Sequence, residues 1–254
     1  TSSLRILNNF YLDNGTLVAP SAMTVGGNWT DDGGTAVFQE GTGVVTFNGT
    51  SGQTCNPETF YRLELNKTAG TLLFLSGTTS CSYYNWTSGA FLVNGGNFYV
   101  GDLDDNGIYG TITLSSGSIE FHQGTTTTEY IDLNGNLTIT GGTMTVFGGS
   151  STSYWPYFAN ATFTMSNGTL DFVNRGIRIM ENPTYTFSEN ITGGTIRTAY
   201  SFEANRTDFN PSGGTIELYG TSNASLGHFA GSNLYHIEID KGAKGDNPNT
   251  GDIP

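Results

Sequence analysis

The sequence predicts an all-β chain wound as a right-handed parallel β-solenoid of about nine to ten short coils, with almost no helix. Three observations carry this expectation. The stretch Thr111-Ile-Thr-Leu-Ser-Ser-Gly-Ser-Ile-Glu-Phe121 is two alternating half-strands hinged on Gly117, and the pattern returns at near-equal intervals around Gly142, Gly168 and Gly194. Glycine (36 residues) and Ser, Thr and Asn fill the polar positions, while 16 Phe and 13 Tyr supply a core that disordered chains lack. No stretch sustains the period of about 3.6 residues that marks a helix.

Taken in order, the same frame fits around Gly15, Gly34, Gly70, Gly96, Gly117, Gly142, Gly168, Gly194 and Gly214, nine units in all. The spacing is irregular before Gly117 and after Gly194, widest from Gly34 to Gly70, and reads there as shortened turns or inserted loops. Five positions before each hinge stand Phe10, Trp29, Leu65, Phe91, Ile112, Leu137, Phe163 and Phe209, broken by Glu189. Two after it stand apolar residues such as Leu17, Ile119, Met144, Leu170 and Ile196, and four after it Phe121, Val146 and Phe172. Strand side chains alternate faces, so these columns point inward. The position just after the hinge is mostly Thr (Thr143, Thr169, Thr195), a β-branched residue suited to an outward row. Asn or Gly precedes most hinges, as a left-handed corner requires.

The same Asn/Gly-Gly dipeptides also make two-residue hairpins, which would give an antiparallel meander. The unit is too long for one hairpin, and matching residues recur once per whole unit, which favours the coil. A longer repeat overlies the short one. Val45-Thr-Phe-Asn-Gly-Thr-Ser51 returns as Ile216-Glu-Leu-Tyr-Gly-Thr-Ser222, and Phe60-Tyr-Arg-Leu-Glu-Leu-Asn-Lys67 returns as Leu234-Tyr-His-Ile-Glu-Ile-Asp-Lys241. Residues 1–254 therefore read as one continuous solenoid segment, a module plus the start of the next, continuing into further repeats of a longer chain.

A net charge of −13 leaves no basic patch for nucleic acid or an anionic membrane surface, and no apolar run reaches membrane-spanning length. An acidic surface rich in uncharged polar groups suits an extracellular protein.

Gly26-Gly-Asn-Trp-Thr-Asp-Asp-Gly-Gly-Thr35, Gly43-Val-Val-Thr-Phe-Asn-Gly-Thr50 and Thr59-Phe-Tyr-Arg-Leu-Glu-Leu-Asn-Lys-Thr68 resemble the large repetitive surface proteins of Bacteroidota. The later units resemble the Gly-Gly-Thr-hydrophobic repeats of autotransporter passenger solenoids. The resemblance implies export, often by the type IX route, and an adhesive role at the cell surface; it carries no catalytic signature.

Asp102, Asp104 and Asn106, with Gly107, occupy the first, third, fifth and sixth places of a calcium loop and resemble the opening of a dockerin-type loop. The twelfth place is Thr113 instead of a bidentate Glu, so an acidic solvated turn is the competing reading. Cys55 stands as far before hinge Gly70 as Cys81 stands before hinge Gly96, and one slot on adjacent coils would let them form a disulfide. Tyr154, Trp155 and Tyr157 lie between units and suit stacking on sugar rings, whereas Trp29 falls in an inward column. The partners this implies are glycans or other surface proteins. Eleven Asn-X-Ser/Thr sequons, among them Asn28, Asn136 and Asn167, follow from the composition alone. A polysaccharide-cleaving site needs carboxylates, or a carboxylate with a basic group, on one face. The outward acids Glu120, Asp171 and Glu217 fall on separate units, and Arg175, Arg178 and Arg197 form the one basic cluster. His122, His228 and His236 show no metal spacing. Thr111/Thr113 and Thr162/Thr164 suggest an ice-binding array, but Asn28, Glu64, Ala90 and Asp208 interrupt it. The function expected is a non-enzymatic, extracellular structural or adhesive segment, the alternative a carbohydrate-binding or carbohydrate-degrading β-helix.

Overall fold

The structure, a computed structural model, describes residues 2–102, 107–108, 110–122, 132–133, 135–147, 157–158, 161–174, 176–180, 186–228 and 231–242. Its organising feature is one column of directly paired residues: Phe10, Trp29, Cys55, Phe74, Val93, Leu114, Ile139, Met165 and Ile191. Each lies on the next turn of a parallel β-solenoid, and all nine are buried. The turns are uneven up to Leu114, most of them short but that from Trp29 to Cys55 long, and become nearly uniform from there to Ile191. No helix is present among the described residues.

Each turn has three faces. The column just named marks the first, with strands such as Asn136–Ile139 and Ala161–Met165. The second face carries Thr143–Phe147 and Thr169–Phe172. The third carries Ala22–Val25 and Val44–Phe47 early in the chain, and Tyr157–Phe158, Ile177–Met180 and Phe202–Asn205 later. In the short turns the backbone rounds the corners without losing its ladder, so one strand, Thr78–Val100, sweeps through all three faces.

The second face shows why the chain coils. Phe121 pairs with Val146 and Val146 with Phe172, all fully buried, while Thr143, Thr169 and Thr195 form a half-buried row outside. An antiparallel meander would separate these residues; the parallel register brings each onto its repeat. The pleat then turns every apolar position inward at once.

The corner between first and second faces needs a left-handed residue. Gly117, Gly142 and Gly168 supply it with φ of 86°, 77° and 82°. A Cβ on Gly142 would come within 2.4 Å of the Gly117 carbonyl oxygen, so backbone stacks on backbone there. Two glycines correct the expected frame. Gly96 is not the left-handed residue of its turn; Gly95 is, at φ 87°, because that turn bulges against Ser116 to Ser118. Gly70 turns a different corner, from the third-face run Arg62 to Leu65 to the first-face run Leu72 to Phe74. The wide gap from Gly34 to Gly70 is therefore no measure of one turn, because the next first-to-second corner after Gly34 falls at Pro57, between Cys55 and Phe60.

Candidate functional site

Side chains on the outside bind turn to turn. Asn9 Oδ1 accepts from the Asn28 N–H at 2.9 Å, and Asn28 Oδ1 from the Thr54 N–H at 2.9 Å. Ser116 and Ser118 donate to Asn94 and Asn97 at 3.0 and 2.8 Å. Ser225 donates to Ser201 at 2.9 Å, and Asn233 to Asn210 at 3.0 Å. Asn, Ser and Thr are short enough to reach only the next turn, about 4.8 Å away, which is why they dominate the polar positions.

The long repeat has a role that its letters did not show. Lys67 is 1% exposed, and its ammonium donates to the carbonyls of Gly49 and Ser51 at 2.7 and 2.9 Å and to Gln53 Oε1 at 2.5 Å. Lys241, its counterpart in the second copy, donates to the Ala199, Tyr219 and Ser222 carbonyls at 2.7, 2.6 and 3.1 Å. Ser51 and Ser222 match in the repeat, so each lysine reaches the matching serine carbonyl one turn below, Lys67 where the third face gives way to the first and Lys241 where the second gives way to the third. Burial lowers both ammonium groups, Lys67 to about 8. The strand pairing is also reproduced, Val45 on Leu63 and Ile216 on Ile237, although the first pair lies on the third face and the second on the second. The repeat is therefore a local lysine tie.

Two surface features could meet a ligand. The first is a charged row on the second face. Asp171, Arg197 and Glu217 stand on consecutive strands in register. Arg197 reaches Asp171 at 3.7 Å and Glu217 at 3.1 Å, its guanidinium lies 4.3 Å from the Tyr219 ring centroid, and Tyr219 donates to Asp171 Oδ1 at 2.8 Å. Burial, together with the Asp171 carboxylate, raises the Tyr219 hydroxyl far above its usual range. Asp171 and Glu217, which seemed dispersed over separate units, thus converge, but each has Arg197 against it, while Glu120 stays apart with His122. Arg178 pairs separately with Glu203 at 2.7 Å, and Arg175 lies outside the described residues.

The second feature is an open groove of about 480 Å³ where turns leave the second face for the third. Thr59, Ser80, Ser82, Tyr83, Tyr99, Gly101 and Asp102 line it. Tyr83 is held edge-on by Tyr61, centroids 5.3 Å apart, and covered by the Arg62 guanidinium at 5.3 Å. Tyr99 is 39% exposed beside His122, whose ring stacks on Phe147 at 4.2 Å and bonds to Glu120. Sequence reasoning missed this groove. Its residues belong to neighbouring short turns, and only the true register brings Tyr83 near Tyr99.

The expected sites fare differently. Asp102 lines the groove, and its carbonyl accepts from the Tyr84 N–H at 2.9 Å; Asp104 and Asn106 lie outside the described residues. No group of three metal-ligating side chains forms among the described residues. Tyr154 and Trp155 also lie outside them, and of Tyr157 only the backbone is described, paired with Arg178. The disulfide is a correction: Cys55 and Cys81 are both buried thiols. Cys55 pairs with Phe74 on the first face and Cys81 with Phe60 on the second, so they do not share a slot. Burial pushes the Cys55 thiol well up, leaving it protonated and unreactive. Trp29 is core, as its column implied. No helix among the described residues is long and apolar enough to cross a membrane. No family model, curated protein or solved structure matches the chain.

Proposed function

We propose that this chain is a non-enzymatic, extracellular segment of a large surface or secreted protein, serving as a stiff spacer with an adhesive side. The observation that carries this reading is the unbroken nine-turn column, clad in polar side chains that bind the neighbouring turns. Such stacking gives a rod of roughly 40 Å for nine strands at about 4.8 Å each. The motif resemblance to repetitive Bacteroidota surface proteins and autotransporter passengers supports the same role, with glycans or other surface proteins as partners.

The second reading, polysaccharide cleavage, draws on the Asp171–Arg197–Glu217 row with Tyr219. Arg197 engages both carboxylates, which favours a structural network over an acid and base left for substrate. Incubation with a polysaccharide panel followed by a reducing-end assay separates the two. The proposal expects no release; reducing ends that vanish in Asp171→Asn would replace it with the enzymatic reading.

A further inference from the structure

We propose that the groove between Tyr83 and Tyr99 binds a short, neutral saccharide; this rests on the adhesive half of the function just proposed. Its volume, about 480 Å³, lies within the roughly 300–1,000 Å³ of ordinary ligand sites. The chemistry of the lining is amphipathic in the way a sugar is. Tyr83 and Tyr99 offer ring faces for the C–H surface of a pyranose and hydroxyls for its edge. Thr59 and Ser80, whose hydroxyls are 3.1 Å apart, add donors and acceptors along one wall. Ser82 and Asp102 complete the polar lining.

The groove is also preformed. Tyr83 is fixed by Tyr61 and Arg62, and Tyr99 leans on the His122–Phe147 stack, so little ordering is required on binding. Gly101 packs backbone on backbone beside the groove, since a Cβ there would stand 3.0 Å from the Ser82 carbonyl oxygen.

Charge decides the class of sugar. The chain carries −13 overall, Asp102 faces the groove, and the nearby cation, Arg62, lies over the Tyr83 ring. A uronate or sulfated chain would meet net repulsion, whereas a neutral oligosaccharide would not. The occupant is therefore a neutral saccharide of a few units.

The test titrates the whole chain with cellotriose, xylotriose, mannotriose, maltotriose and chitotriose, with trigalacturonate as the acidic probe, by calorimetry. At least one neutral trisaccharide should bind, and Tyr99→Ala and Tyr83→Ala should each weaken it by roughly five- to tenfold. Tyr83→Phe should keep most of the affinity. Circular dichroism melts of each variant verify that the fold is intact. Preference for trigalacturonate, or no binding of any neutral probe, overturns the groove assignment and leaves the spacer role standing. Binding that survives Tyr99→Ala but disappears in Trp155→Ala overturns it too, while keeping the adhesive role on a different surface.

Discussion

Replacing Lys67 by Met sets two opposed effects against each other, and their magnitudes give the sign. Met fills nearly the same volume without a charge, so the substitution removes the cost of burying an ammonium. A fall from 10.5 to about 8 corresponds to at most about 3 kcal/mol. The three contacts hold the cation in place, so the true cost is below that bound. Against this, Gly49 O, Ser51 O and Gln53 Oε1 lose their donor inside a closed corner, at about 1–3 kcal/mol each. The losses outweigh the gain, and Lys67→Met should destabilise the protein by about 2–4 kcal/mol in urea unfolding at pH 7, with an unchanged m-value. The pH profile adds a second reading. Below pH 8 both folded and unfolded states carry the ammonium, and the folded state bears its full burial cost. Between pH 8 and 10.5 the unfolded state holds a proton the folded state has released, so wild-type stability rises with pH. Lys67→Met lacks that rise, and the gap between the two proteins should widen above pH 8. A Met variant as stable as wild type at pH 7 would refute the lysine tie as a stabilising device.

Three further outcomes follow from the stacking. Phe172→Ala removes a fully buried ring from the Phe121–Val146–Phe172 column and should cost about 3–5 kcal/mol, while Thr169→Ala, one row outside, should stay within about 0.5 kcal/mol. Gly142→Ala forces a left-handed alanine whose Cβ meets the Gly117 carbonyl, and should cost about 2–4 kcal/mol in the same unfolding assay. Cys55 and Cys81 should resist alkylation in the native protein and take up one label each in denaturant without reductant, as unreduced mass spectrometry would show.

Much of the C-terminal half was legible because its turns are nearly uniform in length, so one frame placed Phe121, Val146, Phe172 and the Thr row correctly. The N-terminal half was not, and Gly70 shows why. A left-handed glycine serves any tight corner, so glycine marks that a corner exists but not which one. Assigning Gly70 to the first-to-second corner shifted the frame there, and that shift alone put Cys55 and Cys81 in one slot. The groove was hidden for the same reason, since Tyr83 and Tyr99 meet only through the shorter turns of that half. Lys67 and Lys241 were visible as a repeat, yet their role was not. Their partners are mostly main-chain carbonyls, which leave no trace in the sequence. The Asp171–Arg197–Glu217 row looked dispersed because neighbours across a parallel ladder are separated by a whole turn of chain.

The central claim is that successive units stack in parallel and in register, and a cross-linking pair tests it most directly. In a Cys55→Ser/Cys81→Ser background, Thr143→Cys with Thr169→Cys places two thiols on directly paired residues. Their Cα atoms are about 4.8 Å apart, inside the range a disulfide spans. The solenoid predicts rapid oxidation of this pair and none for Thr138→Cys with Thr145→Cys, whose residues lie on different faces of one turn. A hairpin hinged on Gly141 and Gly142 would face Thr138 to Thr145 instead. Ready cross-linking of that second pair, with Thr143→Cys and Thr169→Cys left reduced, would contradict the solenoid.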